Sequence, residues 1–284
     1  MNVRIIPRMD IKGPNLVKGI NLEGLRVLGK PEYFATVYYE KGADELLYMD
    51  AVASLYGRNS LLHIVEKTAA DIFIPLTVGG GLRTIDDIRA ALRAGADKVA
   101  INTAAVHNPN LIREASLKFG SSTIVVSIDA VQRSADSYEV CTDYGRECTG
   151  LDAVEWACRA CELGAGEILL TAVRREGTGT GYDLTLTRRI AEALPIPVIA
   201  CGGAGRTEDV IRVIREGKAD AVCAASIFHY HEASAVACGK ADFSDEGNVT
   251  FLKTGKVPSG IKPVDLRDLK RTLEAGDIAC RMCA

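Results

Sequence analysis

The chain has 284 residues, 48% of them hydrophobic, with 34 Lys and Arg against 37 Asp and Glu for a net charge of −3. That length suits a large single domain, α/β barrels included, and the apolar share is enough for a substantial core. Near-neutral charge without a basic run or aromatic ladder gives no reason to expect nucleic acid as a partner. No apolar stretch approaches transmembrane length and the N-terminus enters a strand instead of a signal peptide, so the expectation is a cytoplasmic protein without membrane contact.

Eight short runs, apolar on both faces, read as parallel strands covered by helices: Val3–Met9, Glu45–Met49, Ile74–Val78, Lys98–Ile101, Thr123–Ile128, Glu167–Thr171, Val198–Cys201 and Ala221–Ala224. Helical patterns recur between them, as in Thr84–Ala94 and Asp183–Ala193. Landmarks repeat at a near-constant offset. Gly202-Gly203 follows Gly79-Gly80 by 123 positions (203 − 80), and Ala219-Asp220 follows Ala96-Asp97 by the same 123 (219 − 96). Gly164-Ala165 answers Gly42-Ala43, and Asp129 answers Asp10. Eight strand–helix units with an internal repeat predict a single (βα)₈ barrel spanning residues 1–284, built from two duplicated half-barrels of about residues 1–120 and 121–284. A doubly wound open sheet is the alternative, but it does not account for the duplication.

In such a barrel, catalytic groups come from the C-terminal ends of the strands. That rule selects Asp10, Asp50, Gly79–Gly81, Asn102, Thr103, Asp129, Thr171, Gly202, Gly203 and Ser226. Asp10 and Asp129 face each other across the mouth, a pair suited to acid–base work in which one carboxyl takes a proton while the other gives one. Gly81, Asn102 and Thr103 form one phosphate nest. Gly203, Ala225 and Ser226, helped by Gly177, form a second. Two nests on opposite sides imply a substrate with a phosphate at each end. At the N-terminal ends stand Arg4, Glu45, Lys98 and Glu167, four mixed charges that could close the floor as a salt-bridge gate or lie on a solvated rim. Strand alternation turns Arg4, Ile6, Arg8 and Asp10 to one face.

Residues 231–262 break the rhythm. A polar, Gly-containing segment stands where a short loop and a last helix belong, before Val264–Ala275 resumes a helical pattern, and a loop this long suggests a lid over half of the mouth. Of nine cysteines, Cys158/Cys161 and Cys280/Cys283 form CxxC pairs. They lack the compact spacing of a zinc knuckle and read as thiols in a reducing compartment, so neither a metal nor a cofactor is expected.

Arg4-Ile5-Ile6-Pro7, Val17-Lys18-Gly19, Thr77-Val78-Gly79-Gly80-Gly81, Ile128-Asp129-Ala130, Gly181-Tyr182-Asp183 and Ala224-Ala225-Ser226 stand in an order that resembles the cyclase subunit of imidazole glycerol phosphate synthase. The resemblance covers about residues 3–229. It implies a glutaminase subunit docked on the N-terminal barrel face as the partner in a heterodimer. Ammonia from that partner would cross the barrel to a bis-phosphorylated amidine nucleotide, whose lysis and ring closure give imidazole glycerol phosphate and an aminoimidazole carboxamide ribotide in histidine biosynthesis. It also implies that Asp129 is the general acid or base of the first steps and Asp10 its counterpart in cyclisation. Lys18 would lie on a mobile loop that closes over substrate, Arg4, Glu45, Lys98 and Glu167 would form the ammonia gate, and Asp97 would touch the glutaminase.

The chain departs from that pattern at several points. Arg8 replaces a small residue or cysteine two positions before Asp10, where a guanidinium should hold Asp10 ionised and fill part of the ammonia path. Arg174 and Glu176 alter two acids of the loop after the sixth strand, Cys201 and Ala100 replace serines, and the 231–262 insert is extra. Such departures also resemble a paralogous group that supplies ammonia for sugar amidine formation in surface-polysaccharide synthesis. The related barrel isomerase of the preceding histidine step needs no floor gate, which argues against it.

Overall fold

A computed structural model describes residues 2–53, 61–236 and 248–282. Twelve strands form one sheet. Eight of them run parallel and close on themselves: β1 (Arg4–Lys12), β4 (Leu46–Asp50), β5 (Leu76–Gly79), β6 (Lys98–Ile101), β7 (Ile124–Gln132), β10 (Glu167–Ala172), β11 (Val198–Cys201) and β12 (Ala221–Ala224). β10 pairs with β7 and β12 with β1, so no edge is left among them. Helices pack outside this ring, which is a (βα)₈ barrel. Large apolar clusters fill the space between strands and helices, and a separate one, including Ile6, Leu47, Val125, Leu169 and Ile199, fills the bore.

Local chemistry explains where elements begin. Thr84 Oγ1 accepts from Asp87 N at 3.1 Å while Asp87 Oδ2 accepts from Thr84 N at 2.9 Å, a reciprocal cap for the helix Ile85–Arg93. Asp152 and Asp183 cap the helices Ala153–Glu162 and Leu184–Ala193. The aspartates of the repeated Ala-Asp pairs hold the floor: Asp44, Asp97 and Asp220 accept from Ile5 N, Leu76 N and Val198 N at 2.8, 2.9 and 2.9 Å. Each ties the start of its own strand to that of a strand beside it.

The other four strands were not expected from the sequence. β1 continues into a hairpin of β2 (Asn15–Ile20) and β3 (Glu23–Gly29), and β7 into one of β8 (Tyr138–Thr142) and β9 (Glu147–Asp152). Both rise from the C-terminal face, and Lys18 sits buried on β2 instead of on an open loop. The 231–262 segment also differs from expectation. The helix Ser226–Val236 carries through its first part, because Ile227, Phe228, Tyr230 and Ala233 bury against the barrel. Residues 237–247 lie outside the described residues. From residue 248 the segment packs over the mouth: Val27 N donates to Asn248 O at 3.0 Å, Phe251 meets Tyr230 at 5.0 Å between ring centroids, and Lys262 N donates to Gly205 O at 2.7 Å. Gly260 comes so close that a Cβ on Gly205 would stand 2.5 Å from its carbonyl oxygen.

Candidate active site

Strand register builds the mouth. Asp129 pairs with Thr171, Thr171 with Cys201, and Cys201 with Cys223, so four adjacent strands present these side chains at one level. Arg8 reaches this row from β1. Its Nε donates to Asp10 Oδ1 at 2.9 Å, and its Nη1 to Thr171 Oγ1 at 3.2 Å and Cys201 Sγ at 3.5 Å. The guanidinium therefore spans the bore just below the mouth. Lys18 Nζ lies 3.7 Å from Asp10 Oδ2 and pairs with Glu176. All four of these charged side chains are buried. They form a balanced set, two cations against two carboxylates.

Among the described residues Asp129 forms no ion pair. Asn102 Nδ2 donates to its Oδ2 at 3.1 Å, and Thr171 hydrogen-bonds to it. Burial pushes the Asp129 carboxyl up to about 6, with Asp10 adding to the shift and Arg8, Thr171 and Asn102 only partly offsetting it. Burial acts the same way on Asp10, but Arg8 and Lys18 outweigh it and hold that carboxyl below its ordinary value. The expected effect of Arg8 on Asp10 is thus present in the geometry. Cys201 is held low by its hydrogen bond to the Cys223 thiol, against burial and with help from Arg8.

The two sets of nest residues differ in openness. Gly81, Asn102 and Thr103 line a cavity of about 420 Å³ with Arg83, Asp129 and Tyr144. Gly177, Gly203, Ala225 and Ser226 line a cleft of only about 10 Å³, on the side that Gly260 covers. In both, paired glycines with positive φ, Gly80-Gly81 and Gly202-Gly203, turn the backbone at the strand end. Of the two altered positions in the loop after the sixth strand, Arg174 is exposed, whereas Glu176 points inward to Lys18.

At the floor, Arg4 and Lys98 each bridge Glu45 and Glu167. The contacts are Arg4 Nη1 to Glu45 Oε2 at 2.9 Å, Arg4 Nη2 to Glu167 Oε2 at 2.8 Å, and Lys98 Nζ to the same two carboxylates at 2.9 and 2.8 Å. The four side chains form a closed ring, and Thr77 adds a hydrogen bond to Glu45. A void of about 10 Å³, lined by Ile6, Leu47, Val125 and others, lies directly inside it.

Cys158 and Cys161 sit on the helix against β7 and β8, while Cys280 is buried beside Lys270 and bridges to Val3, and Cys283 is outside the described residues. His231, Glu232 and Asp265 cluster within ligand distance, but Lys41 already bonds both carboxylates, at 2.7 and 2.6 Å. Among the described residues no helix is long and apolar enough to cross a membrane.

Sequence reasoning missed three contributors: Thr171 as the link between Arg8 and Asp129, Glu176 as the partner of Lys18, and Tyr144 at the cavity wall. Thr171 is selected by its place at a strand end and Glu176 by its place in the loop after the sixth strand, but their partners lie far away in sequence; Tyr144 is not singled out at all.

The family described as "Histidine biosynthesis protein" matches residues 4–234. The Imidazole glycerol phosphate synthase subunit HisF of Legionella pneumophila is 57% identical over 208 residues, which are 73% of this chain and 98% of that protein. With a matched region that includes the floor ring, both aspartates and both sets of nest residues, the chain belongs to the histidine biosynthesis protein family, alongside the HisF subunits of imidazole glycerol phosphate synthase.

Proposed function

We propose that this chain is the cyclase subunit of an imidazole glycerol phosphate synthase, using ammonia to cleave a bis-phosphorylated amidine nucleotide and close the imidazole ring. The observation that carries this reading is the mouth, where two opposed carboxylates have opposite proton affinities between two glycine-turned nests. A substrate with a phosphate at each end would be anchored by Gly81, Asn102 and Thr103 on one side and by Gly177, Gly203, Ala225 and Ser226 on the other. Its reacting centre would then lie between Asp10 and Asp129.

Asp129 is the group able to exchange a proton near neutrality. With a value of about 6, roughly a tenth of it is protonated at pH 7, so it can act as acid and, after release, as base. Asp10, clamped by Arg8 and Lys18, acts as an anion and a base in the cyclisation steps.

Ammonia would come from a glutaminase subunit docked on the N-terminal face, in a cytoplasmic heterodimer with Asp97 at the contact. The floor ring of Arg4, Glu45, Lys98 and Glu167 would be its gate. Beyond the gate the bore is apolar, which admits neutral ammonia and turns back ammonium because a bare charge is costly there. The void behind the gate suits one small molecule. Arg8 then narrows the path just below the mouth.

The test supplies the purified chain with the bis-phosphorylated amidine nucleotide and excess ammonium at alkaline pH, with mass spectrometry to detect imidazole glycerol phosphate. Free ammonia bypasses the partner, so only the barrel is tested. Product formation at an enzymatic rate is expected. Folded protein that binds the nucleotide and yields no product would refute the cyclase reading.

A further inference from the structure

The turn between β8 and β9 brings one tyrosine to the place where the charged groups converge. Asp143 and Tyr144 have φ of 50° and 62°, a left-handed conformation that side chains other than glycine resist. The β2–β3 turn is built alike, with Asn21 and Leu22 at 52° and 65°, 122 positions earlier (143 − 21). Leu22 belongs to an apolar cluster with Val131, Cys141 and Val173, against which Tyr144 packs, and Tyr144 also packs against the cluster of Val17, Val27 and Ala51. The hairpin turn is therefore served by an apolar side chain, and Leu22 meets that need with carbon alone.

Tyr144 adds a hydroxyl. It is shielded from solvent and has no hydrogen-bond partner among the described residues, although the side chain lines the 420 Å³ cavity. Asn102 Oδ1, on the same cavity wall, is likewise unpartnered among the described residues, while its amide nitrogen donates to Asp129 and to the Cys141 carbonyl and so fixes which way the oxygen faces. Burial, with Asp10, Glu176 and Asp129 nearby, holds the phenol well above its ordinary value despite Arg8, so it stays protonated and can donate. A buried donor and a buried acceptor left unmet in one cavity are costly unless something that binds there meets them.

We propose that Tyr144 contacts substrate, its hydroxyl donating a hydrogen bond to an oxygen or nitrogen acceptor in the middle of the bis-phosphorylated nucleotide while Asn102 Oδ1 accepts from a neighbouring N–H or O–H. This rests on reading the mouth as the nucleotide site. A site arranged to hydrogen-bond a polar group also rejects analogues that lack it, so Tyr144 is a specificity determinant as well as an anchor.

Tyr144→Phe keeps the ring, the turn and the packing and removes only the oxygen. In the ammonium-dependent assay kcat/KM should fall about tenfold, while the melting temperature stays level or rises because an unmet polar atom has gone. Tyr144→Leu, which copies Leu22, should show the same loss. Equal kcat/KM in wild type and both variants would overturn the proposal while leaving the cyclase reading intact. A second readout needs no turnover. In protein labelled with ¹³C at tyrosine Cζ, the resonance missing from Tyr144→Phe should shift when the nucleotide is added without ammonium. A resonance that stays in place while calorimetry shows the wild type binding the nucleotide would overturn the proposal, and a wild type that neither binds nor turns over the nucleotide would overturn both readings together.

Discussion

Asp10 and Asp129 close the first and fifth strands of the barrel at similar depth, 1% and 5% exposed, yet their surroundings set them to opposite tasks. On the Asp10 side, Arg8, Lys18 and Glu176 fill the space with compensating charge, and the adjoining nest is a cleft of about 10 Å³ under Gly260. On the Asp129 side the partners are neutral, Asn102 and Thr171, and the carboxyl lines a cavity of about 420 Å³. Burial alone would raise both carboxyls, so the presence or absence of a cation decides which holds the proton. Two residues of one type, at matching places in a repeated fold, are differentiated by two cations, Arg8 and Lys18, that stand beside only one of them.

The largest effect should come from removing the proton-exchanging member. Asp129→Asn is expected to lower ammonia-dependent turnover by a factor of about 10²–10⁴ with the barrel intact, and retained activity would remove Asp129 from the mechanism. The same variant tests the electrostatics. A carboxyl whose folded value is raised from 3.8 to about 6 favours the native state when protonated, and that contribution is lost as pH rises through 6. The amide has no such loss, so at pH 7–8 it should gain up to about 3 kcal/mol relative to wild type, a gain that shrinks as pH falls from 6 and vanishes below 3.8. Asp10 has the opposite sign. Its depressed value contributes stability above the ordinary carboxylate range, lost only as pH falls through the lower folded value.

Arg8→Cys should bring the two sides closer, leaving Lys18 as the cation beside Asp10. Removing one partner of a buried pair costs about 3–5 kcal/mol, readable in denaturant unfolding. Asp10 then rises, the bore widens, and cyclase activity increases. Unchanged activity would show that the clamp on Asp10 has no catalytic consequence. A smaller effect is expected from Thr171→Val, which removes the hydroxyl between Arg8 and Asp129. It should cost about 1–3 kcal/mol and move the acidic limb of the kcat/KM profile to higher pH, because Asp129 loses a hydrogen bond that favours its anion.

How far this asymmetry was legible depends on the range of each contact. Arg8 and Asp10 share a strand, and simple alternation placed them side by side. The Lys18–Glu176 pair spans 158 positions, and nothing in local sequence joins the two. The hairpins escaped notice because their turns open on Asn21-Leu22 and Asp143-Tyr144, which are left-handed at residues other than glycine, with Gly24 and Gly145 following only after them. The helix Ser226–Val236 was missed for a different reason: its residues are buried around most of the circumference, so it lacks the polar stripe that marks a surface helix. The eight barrel strands, by contrast, followed from short apolar runs, while the four floor charges were located by the sequence but their closure into a ring was left open against a solvated rim.

The central claim is that the proton of this mouth resides on Asp129 and not on Asp10. It is tested most directly by titrating the aspartate carboxyl carbons in ¹³C-labelled protein, with Asp10→Asn and Asp129→Asn used to assign the two resonances. The account predicts that Asp129 titrates near 6 while Asp10 remains ionised below the ordinary carboxylate range. Two resonances titrating together, or Asp10 above Asp129, would contradict it.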